Sequence, residues 1–205
     1  EDAVNRGPKP FEKAFGEYMG RMLWTAVTGQ DKGLVQDNRN HVPREVGYGH
    51  TFPEQTRDPQ EIRAEVAKGV MSVCYRMRAY KRKSKAFTIG IVPQALKHPG
   101  FWFKVTTEGH TNIDDYVLDA ALPAANSVIR HALQNKLPIR AVRVYTREMT
   151  IDNQFELFFE EDSRRRKLML AMDSINNSMG AGTVHKGILH DRVKGQTHFL
   201  ERTII

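Results

Sequence analysis

REVGYGHTF, residues 44–52, decides how the rest of the chain is read. Val46, Tyr48, His50 and Phe52 alternate with Gly47, Gly49 and Thr51, the period of two that sends successive side chains to opposite faces of a strand. One face has the bulk to join a core. The other leaves backbone almost bare, where a phosphate could come close to peptide N–H groups. Taken alone, glycines at this spacing also fit a bulge or a sheet edge. The sequence that follows favours the open face.

Next comes a helix start, in which Asp58 can cap, Pro59 suits the first helical position and Glu61 completes a capping box. Ile62, Val66, Val70, Val73, Cys74 and Met77 share one face, which makes Cys74 a packed core thiol rather than a nucleophile. The helix runs into a basic stretch, Arg76, Arg78, Lys81, Arg82, Lys83 and Lys85. Two strands are predicted over 86–92 and 101–107, with PQALKHPG as the loop between them. Phe87, Ile89 and Ile91, then Phe101, Phe103 and Val105, take their core faces. Thr88, Gly90, Trp102, Lys104 and Thr106 lie opposite, where Trp102 could stack on a base or sugar or serve a domain contact. A second helix is predicted over 123–135, with Val128, Ile129, Ala132 and Leu133 inward. IDDYVLDAAL before it reads as an earlier turn kinked by Pro123. The last strand, 139–147, sends Val142 and Val144 one way and Ala141, Arg143, Tyr145 and Arg147 the other.

The order strand, helix, strand, strand, helix, strand is the split βαβ arrangement, an α+β fold with a four-stranded antiparallel sheet and both helices on one face. Two arginines and a tyrosine at alternate positions suit a nucleic-acid backbone better than a core. Charge agrees. Residues 44–150 hold 17 basic and 10 acidic side chains, whereas residues 1–43 hold six of each and residues 151–205 eight of each, so the whole net charge of +7 falls on the centre.

Length and composition bound the rest. With 205 residues, 40% hydrophobic and 27% charged, the chain can bury one good core and carry appendages. No apolar run approaches the ~20 residues of a membrane span. The charged opening EDAVNRG lacks the apolar centre of a secretory signal. A single cysteine excludes an internal disulfide and points to a reducing cytoplasm. The eight histidines show no CxxC or HxxxH pairing, so no metal site is expected. Residues 1–36 read as the end of a helical unit, with Phe11, Phe15, Tyr18, Met22, Leu23 and Ala26 near helical spacing and Gly29 as the stop. Residues 37–43 are polar, turn-rich and proline-ended, as a linker would be. The abrupt start at Glu1 suggests a piece of something longer.

VGYGHTFPEQTRDPQEI, the element order and the basic strands resemble the little finger domain of Y-family translesion DNA polymerases. MLWTAVTGQDKGLV is similar to the end of their thumb domain. LMLAMDSINNSMGAGTV, with Leu168, Met169, Met172, Asp173, Asn176, Gly180, Gly182 and Thr183, resembles the C-terminal extension of the UmuC branch, here residues 161–205. In that family the chemistry belongs to palm-domain carboxylates that hold two Mg2+ ions, together with finger residues. Neither region is here, so this part is expected to bind DNA without catalysing and to hold no cofactor itself. Asp114 and Asp115 are read as helix-start caps, and GAGT as a helix stop and turn. Within QFELFF, residues 154–159, Gln154, Leu157 and Phe158 match the pentapeptide that binds the bacterial sliding clamp, placing a tether over 151–160.

The resemblance implies that residues 44–150 grip the template-primer duplex without reading its sequence. The backbone around Gly47, Gly49 and Thr51 and the side chains of Arg44, Lys85, Lys104, Arg143, Tyr145 and Arg147 would make the contacts. The other reading open to these residues is a free-standing split-βαβ regulatory or RNA-binding module.

Overall fold

A computed structural model of the chain describes residues 5–30, 42–95, 98–152 and 162–192. It forms two compact units, Glu1–His41 and Val42–Ile205.

In the first unit the expected helix is divided in two, α1 (Lys9–Phe15) and α2 (Glu17–Val27), because Gly16 between them takes φ 83° and ψ 160°. The two helices touch at Gly20. A Cβ there would stand 2.3 Å from the Glu12 nitrogen, so only glycine allows the approach. Gly29 ends α2 as expected: at φ +69° it lets its N–H reach the Ala26 carbonyl at 3.2 Å and the Gln30 N–H reach Thr25 at 2.9 Å, the paired bonds of a Schellman stop.

The second unit contains β1 (Gly47–Thr56), α3 (Pro59–Ala79), β2 (Arg82–Pro93), β3 (Phe101–Thr111), α4 (Asp114–Gln134) and β4 (Ile139–Arg147). The sheet order is β1-β4-β2-β3, and every neighbouring pair is antiparallel. This is the split βαβ fold that the sequence implies. Ile62, Val66, Val70, Val73, Cys74 and Met77 of α3 are all fully buried, as are Phe87, Ile89 and Ile91 of β2 and Val142 and Val144 of β4. Burial, and secondarily the charge of Asp114, pushes the Cys74 thiol up, which keeps it protonated and unreactive.

Several boundaries differ from those expected. Strand β1 runs on to Thr56, past Pro53, with a register shift between Thr51 and Thr56. An edge strand tolerates proline because its outward N–H has no ladder partner. The box at the start of α3 closes through Thr56: Asp58 accepts the Gln60 N–H at 2.9 Å, Thr56 accepts the Asp58 N–H and its hydroxyl donates to Glu61. Strand β2 begins at Arg82, where a short strand β5 (Thr150–Ile151) pairs with it. Helix α4 is continuous from Asp114, with Pro123 inside it on the exposed side. Proline removes one backbone donor there, and the packed inner face holds the helix together across the gap.

Helix α4 also ends on a residue other than glycine in the left-handed region. Lys136 has φ 56°, and its N–H bonds to Leu133 while Leu137 bonds back to Ala132. Lys136→Gly is expected to stabilise the protein by about 0.5–1 kcal/mol, since relief of the left-handed strain exceeds the added freedom of the unfolded chain. Urea unfolding of the two proteins checks this.

The tail belongs to the same unit. Helix α5 (Ser163–Met179), capped by Asp162, buries Met169, and a 3-10 turn at Gly187–Arg192 adds Leu189 to the main core. Gly180 and Gly182, at φ 105° and 81°, form the stop and turn expected of GAGT. Polar contacts bring the tail onto the helices. Arg78 of α3 gives two bonds to Asp173 of α5, at 2.6 and 2.9 Å, and one to Asp114 of α4 at 2.9 Å. Lys186 reaches both Asp114 and Asp115. These aspartates are therefore not side-chain caps: the cap of α4 is Ile113, and Asp114, only 2% exposed, is a buried anion held by two cations.

Asp152 ties the tail at a second point, taking Arg166 at 3.0 Å and Lys83 at 3.2 Å. Its partial burial opposes ionisation, but the hydrogen bonds from Arg166, Lys83 and Asn112 outweigh it and hold the carboxyl below its ordinary 3.8. A depressed carboxyl contributes stability that is present above the unfolded value and is lost as pH falls through the folded one. The melting temperature should therefore fall below about pH 3.8 more steeply for the native chain than for Asp152→Asn. Thermal melts of the two proteins as a function of pH check this.

Candidate nucleic-acid interface

The helices cover one side of the sheet. On the other side, register sets the residues in rows. Gly47 of β1 lies opposite Tyr145 of β4, which lies opposite Thr88 of β2, which lies opposite Lys104 of β3. One step along, Gly49, Arg143, Gly90 and Trp102 form the next row. Arg147, Ala86 and Thr106 form a row at one end. Strand alternation thus brings Gly47, Gly49, Thr51, Lys104, Arg143, Tyr145 and Arg147 to one face, as the sequence predicts.

The glycine positions on this face are not bare, which corrects the sequence reading. A Cβ at Gly47 would meet the Tyr145 ring at 2.6 Å, and one at Gly49 would meet the Arg143 chain at 3.0 Å. The missing side chains make room for bulky neighbours on the next strand. Amides are nonetheless offered at the edge. Thr146 donates its N–H to the Val46 carbonyl, which makes that pair a bonded rung. Antiparallel rungs alternate, so the N–H groups of Gly47, Gly49 and Thr51 point outward from β1.

Each arginine is held in place. Arg143 donates to the His50 carbonyl at 2.7 Å and to the Thr51 hydroxyl at 3.2 Å. Arg147 pairs with Glu45 at 2.8 Å, both half-exposed, and donates to Thr88 at 3.3 Å. A surface pair of this kind is weak and can be exchanged for a phosphate. Lys104 is exposed. So are Arg44, just ahead of β1, and Lys85, between Ser84 and Ala86 where the β2–β3 register shifts.

The basic stretch that begins at the end of α3 is divided: Lys81 and Lys85 are exposed, whereas three of its members are engaged within the fold. Arg78 is committed to Asp114 and Asp173, Arg76 donates to the Gly47 carbonyl at 2.7 Å, and Lys83 pairs with Asp152. Gln154, Leu157 and Phe158 lie outside the described residues. Trp102, which the sequence reading offered for base stacking or a domain contact but did not place in the predicted contact set, lies on the open face and is about half exposed. Its signal was the glycine at position 90 on the facing strand.

Fold and face together define the class, a split-βαβ domain with an open, basic sheet face. The model of the impB/mucB/samB family C-terminal domain matches residues 43–157. The chain belongs to that family, in line with the Y-family resemblance of its sequence. Among solved structures, a Y-family DNA polymerase chimera of Dbh and Dpo4 is similar at 16% identity and a TM-score of 0.43, over 73% of this chain and 40% of that one. A post-insertion binary complex of Dbh DNA polymerase is similar at 17% identity and a TM-score of 0.41, over 73% of this chain and 41% of that one. The chain thus spans well under half the length of either. No curated protein matches it.

Proposed function

We propose that this chain is the DNA-gripping C-terminal part of a translesion DNA polymerase, and that residues 44–150 hold the template-primer duplex by its backbone. One observation carries the reading: in a domain of this family, Lys104, Arg143 and Arg147 share an open sheet face whose edge strand turns three amides outward. Side chains and amides of this kind meet phosphates in any sequence, which gives affinity and register without base readout. A polymerase that copies past damage cannot rely on close contact with a distorted base pair. A grip farther along the duplex keeps the primer end in place.

The segment 154–158 would supply the second attachment, to the sliding clamp, which raises the local concentration of the enzyme at a stalled fork. Residues 1–36 would be the end of the thumb, and the Mg2+ chemistry would reside in the palm of the whole enzyme. Among the described residues no group of three His, Cys, Asp or Glu is placed to hold a metal ion, and no helix is long and apolar enough to cross a membrane. The cytoplasm, where DNA and clamp are found in bacteria, fits such a role.

The test is binding to a fluorescent primer-template duplex across a range of salt. Affinity should be independent of sequence and fall steeply with salt. In Arg143→Ala/Arg147→Ala the slope of log affinity against log salt should flatten by about 1.8, roughly 0.9 for each phosphate that is no longer neutralised. Absence of binding at low salt, or indifference to those arginines, would overturn the grip.

A further inference from the structure

We propose that Trp102 and Tyr145 form a stacking platform for the unpaired bases of single-stranded DNA, a site on the gripping face distinct from its contacts with the duplex backbone. The inference rests on the DNA-binding reading of that face.

Two aromatic rings fill the space left by glycines on facing strands. Three ring atoms of Trp102 lie 2.5–2.8 Å from where a Cβ of Gly90 would be, and two ring atoms of Tyr145 lie 2.6 and 2.8 Å from that of Gly47. Each ring therefore occupies space that a side chain on the facing residue would need. The ring centroids are 6.3 Å apart and the planes differ by 23°. The two nearly parallel rings stand next to each other on the open side of the sheet, Tyr145 partly exposed and Trp102 more so. Trp102 is 49% exposed, although an indole of its size would ordinarily be sheltered.

The platform is also fixed before anything binds. The indole N–H donates to the Pro99 carbonyl at 2.9 Å, which settles both the ring orientation and its only polar group. A ligand would meet an ordered surface and would not have to immobilise it. The surroundings select the ligand. Lys104 shares a row with Tyr145, and Arg143 shares a row with Trp102 across the side-chain-free Gly90. Aromatic faces bordered by cations suit a chain that carries bases and phosphates alternately. A purely apolar partner would leave those cations without counter-charge, and a duplex hides its base faces in the stack. A strand with unstacked bases satisfies both parts of the surface, and a polymerase domain meets one in the template beyond the primer end.

The experiment uses the full chain with Trp24→Phe, which leaves Trp102 as the one tryptophan, and follows its fluorescence. Three probes are titrated: a thymine oligonucleotide, an abasic oligonucleotide of the same length, and a primer-template duplex. The thymine strand is expected to quench Trp102 and to bind about tenfold or more tighter than the abasic strand. Trp102→Leu, which keeps an apolar cover on Gly90, should remove that advantage while leaving duplex affinity and its salt slope unchanged within about twofold. Tyr145→Leu should also reduce the thymine advantage, and thermal melts of both variants establish that they remain folded. Equal binding of thymine and abasic strands, or quenching without any affinity difference, would overturn the platform and leave the grip standing. Conversely, loss of duplex binding alone would count against the grip, because the contrast between thymine and abasic strands does not depend on it.

Discussion

Arg78→Ala is expected to lower the unfolding free energy by about 3–5 kcal/mol, the range for removing one partner from a buried ion pair. The guanidinium has only 10% of its side-chain surface exposed, yet it makes four polar contacts, to both oxygens of Asp173, to Asp114 and to the Asn112 carbonyl. Burial alone would disfavour its charge, but the bonds to Asp173 and the proximity of Asp114 more than offset this and hold it charged beyond the ordinary arginine range. Truncation would leave Asp114 buried beside the Lys186 ammonium, at 3.5 Å, and would release Asp173 from the helices. Arg78→Lys should recover little, because an ammonium cannot give two parallel bonds to one carboxylate and a third to another. Asp173→Asn, at a more exposed position, should cost less. Urea unfolding gives the free energies, and limited proteolysis shows whether α5 is released first. Similar stabilities for native and Arg78→Ala proteins would mean that the tail is not fastened here.

Phe87→Ala should cost a comparable amount, about 3–5 kcal/mol, for a different reason. Phe87 is the largest of the fully buried side chains among the described residues, and β2 is an inner strand of the sheet. Neighbours on both sides fix the backbone there, so the cavity cannot close by a shift of the strand. Phe87→Leu keeps most of the volume and should lose far less. The variant's DNA affinity, measured at a temperature where it remains folded, should match the native value, because Phe87 faces away from the open side of the sheet. A large loss of affinity in a folded Phe87→Ala protein would mean that the two faces are coupled.

The sequence carries the sheet plainly because a strand buried on one face must alternate, and Val142, Val144, Arg143 and Arg147 do so without ambiguity. Helix α3 was equally legible, from its cap and its apolar face. Pro123 misled because a proline ends helices in general, whereas the buried face on both sides of it holds α4 together. The docking of the tail could not be read at all. Nothing local marks Asp173 as the partner of Arg78 or Arg166 as the partner of Asp152, since ion pairs leave no periodic trace and any exposed helix could carry the same charges. The open face was half legible. Glycines on it were visible, but whether they leave space for a ligand or for a neighbouring ring depends on register, which fixes Gly90 between Trp102 and Arg143.

The segment that recurs across the family ends at residue 157, while the packed unit continues through α5 and Leu189. The family match and the folded unit therefore have different ends. During synthesis the recurring part leaves the ribosome first, with Arg78 already beside Asp114, and Asp173 arrives only when the last helix has been made. A chain cut at the family boundary would be arrested at that unfinished stage, with the surface that receives Leu189 left open to other molecules. Shortened versions of this protein should be drawn from the packing and not from the family boundary.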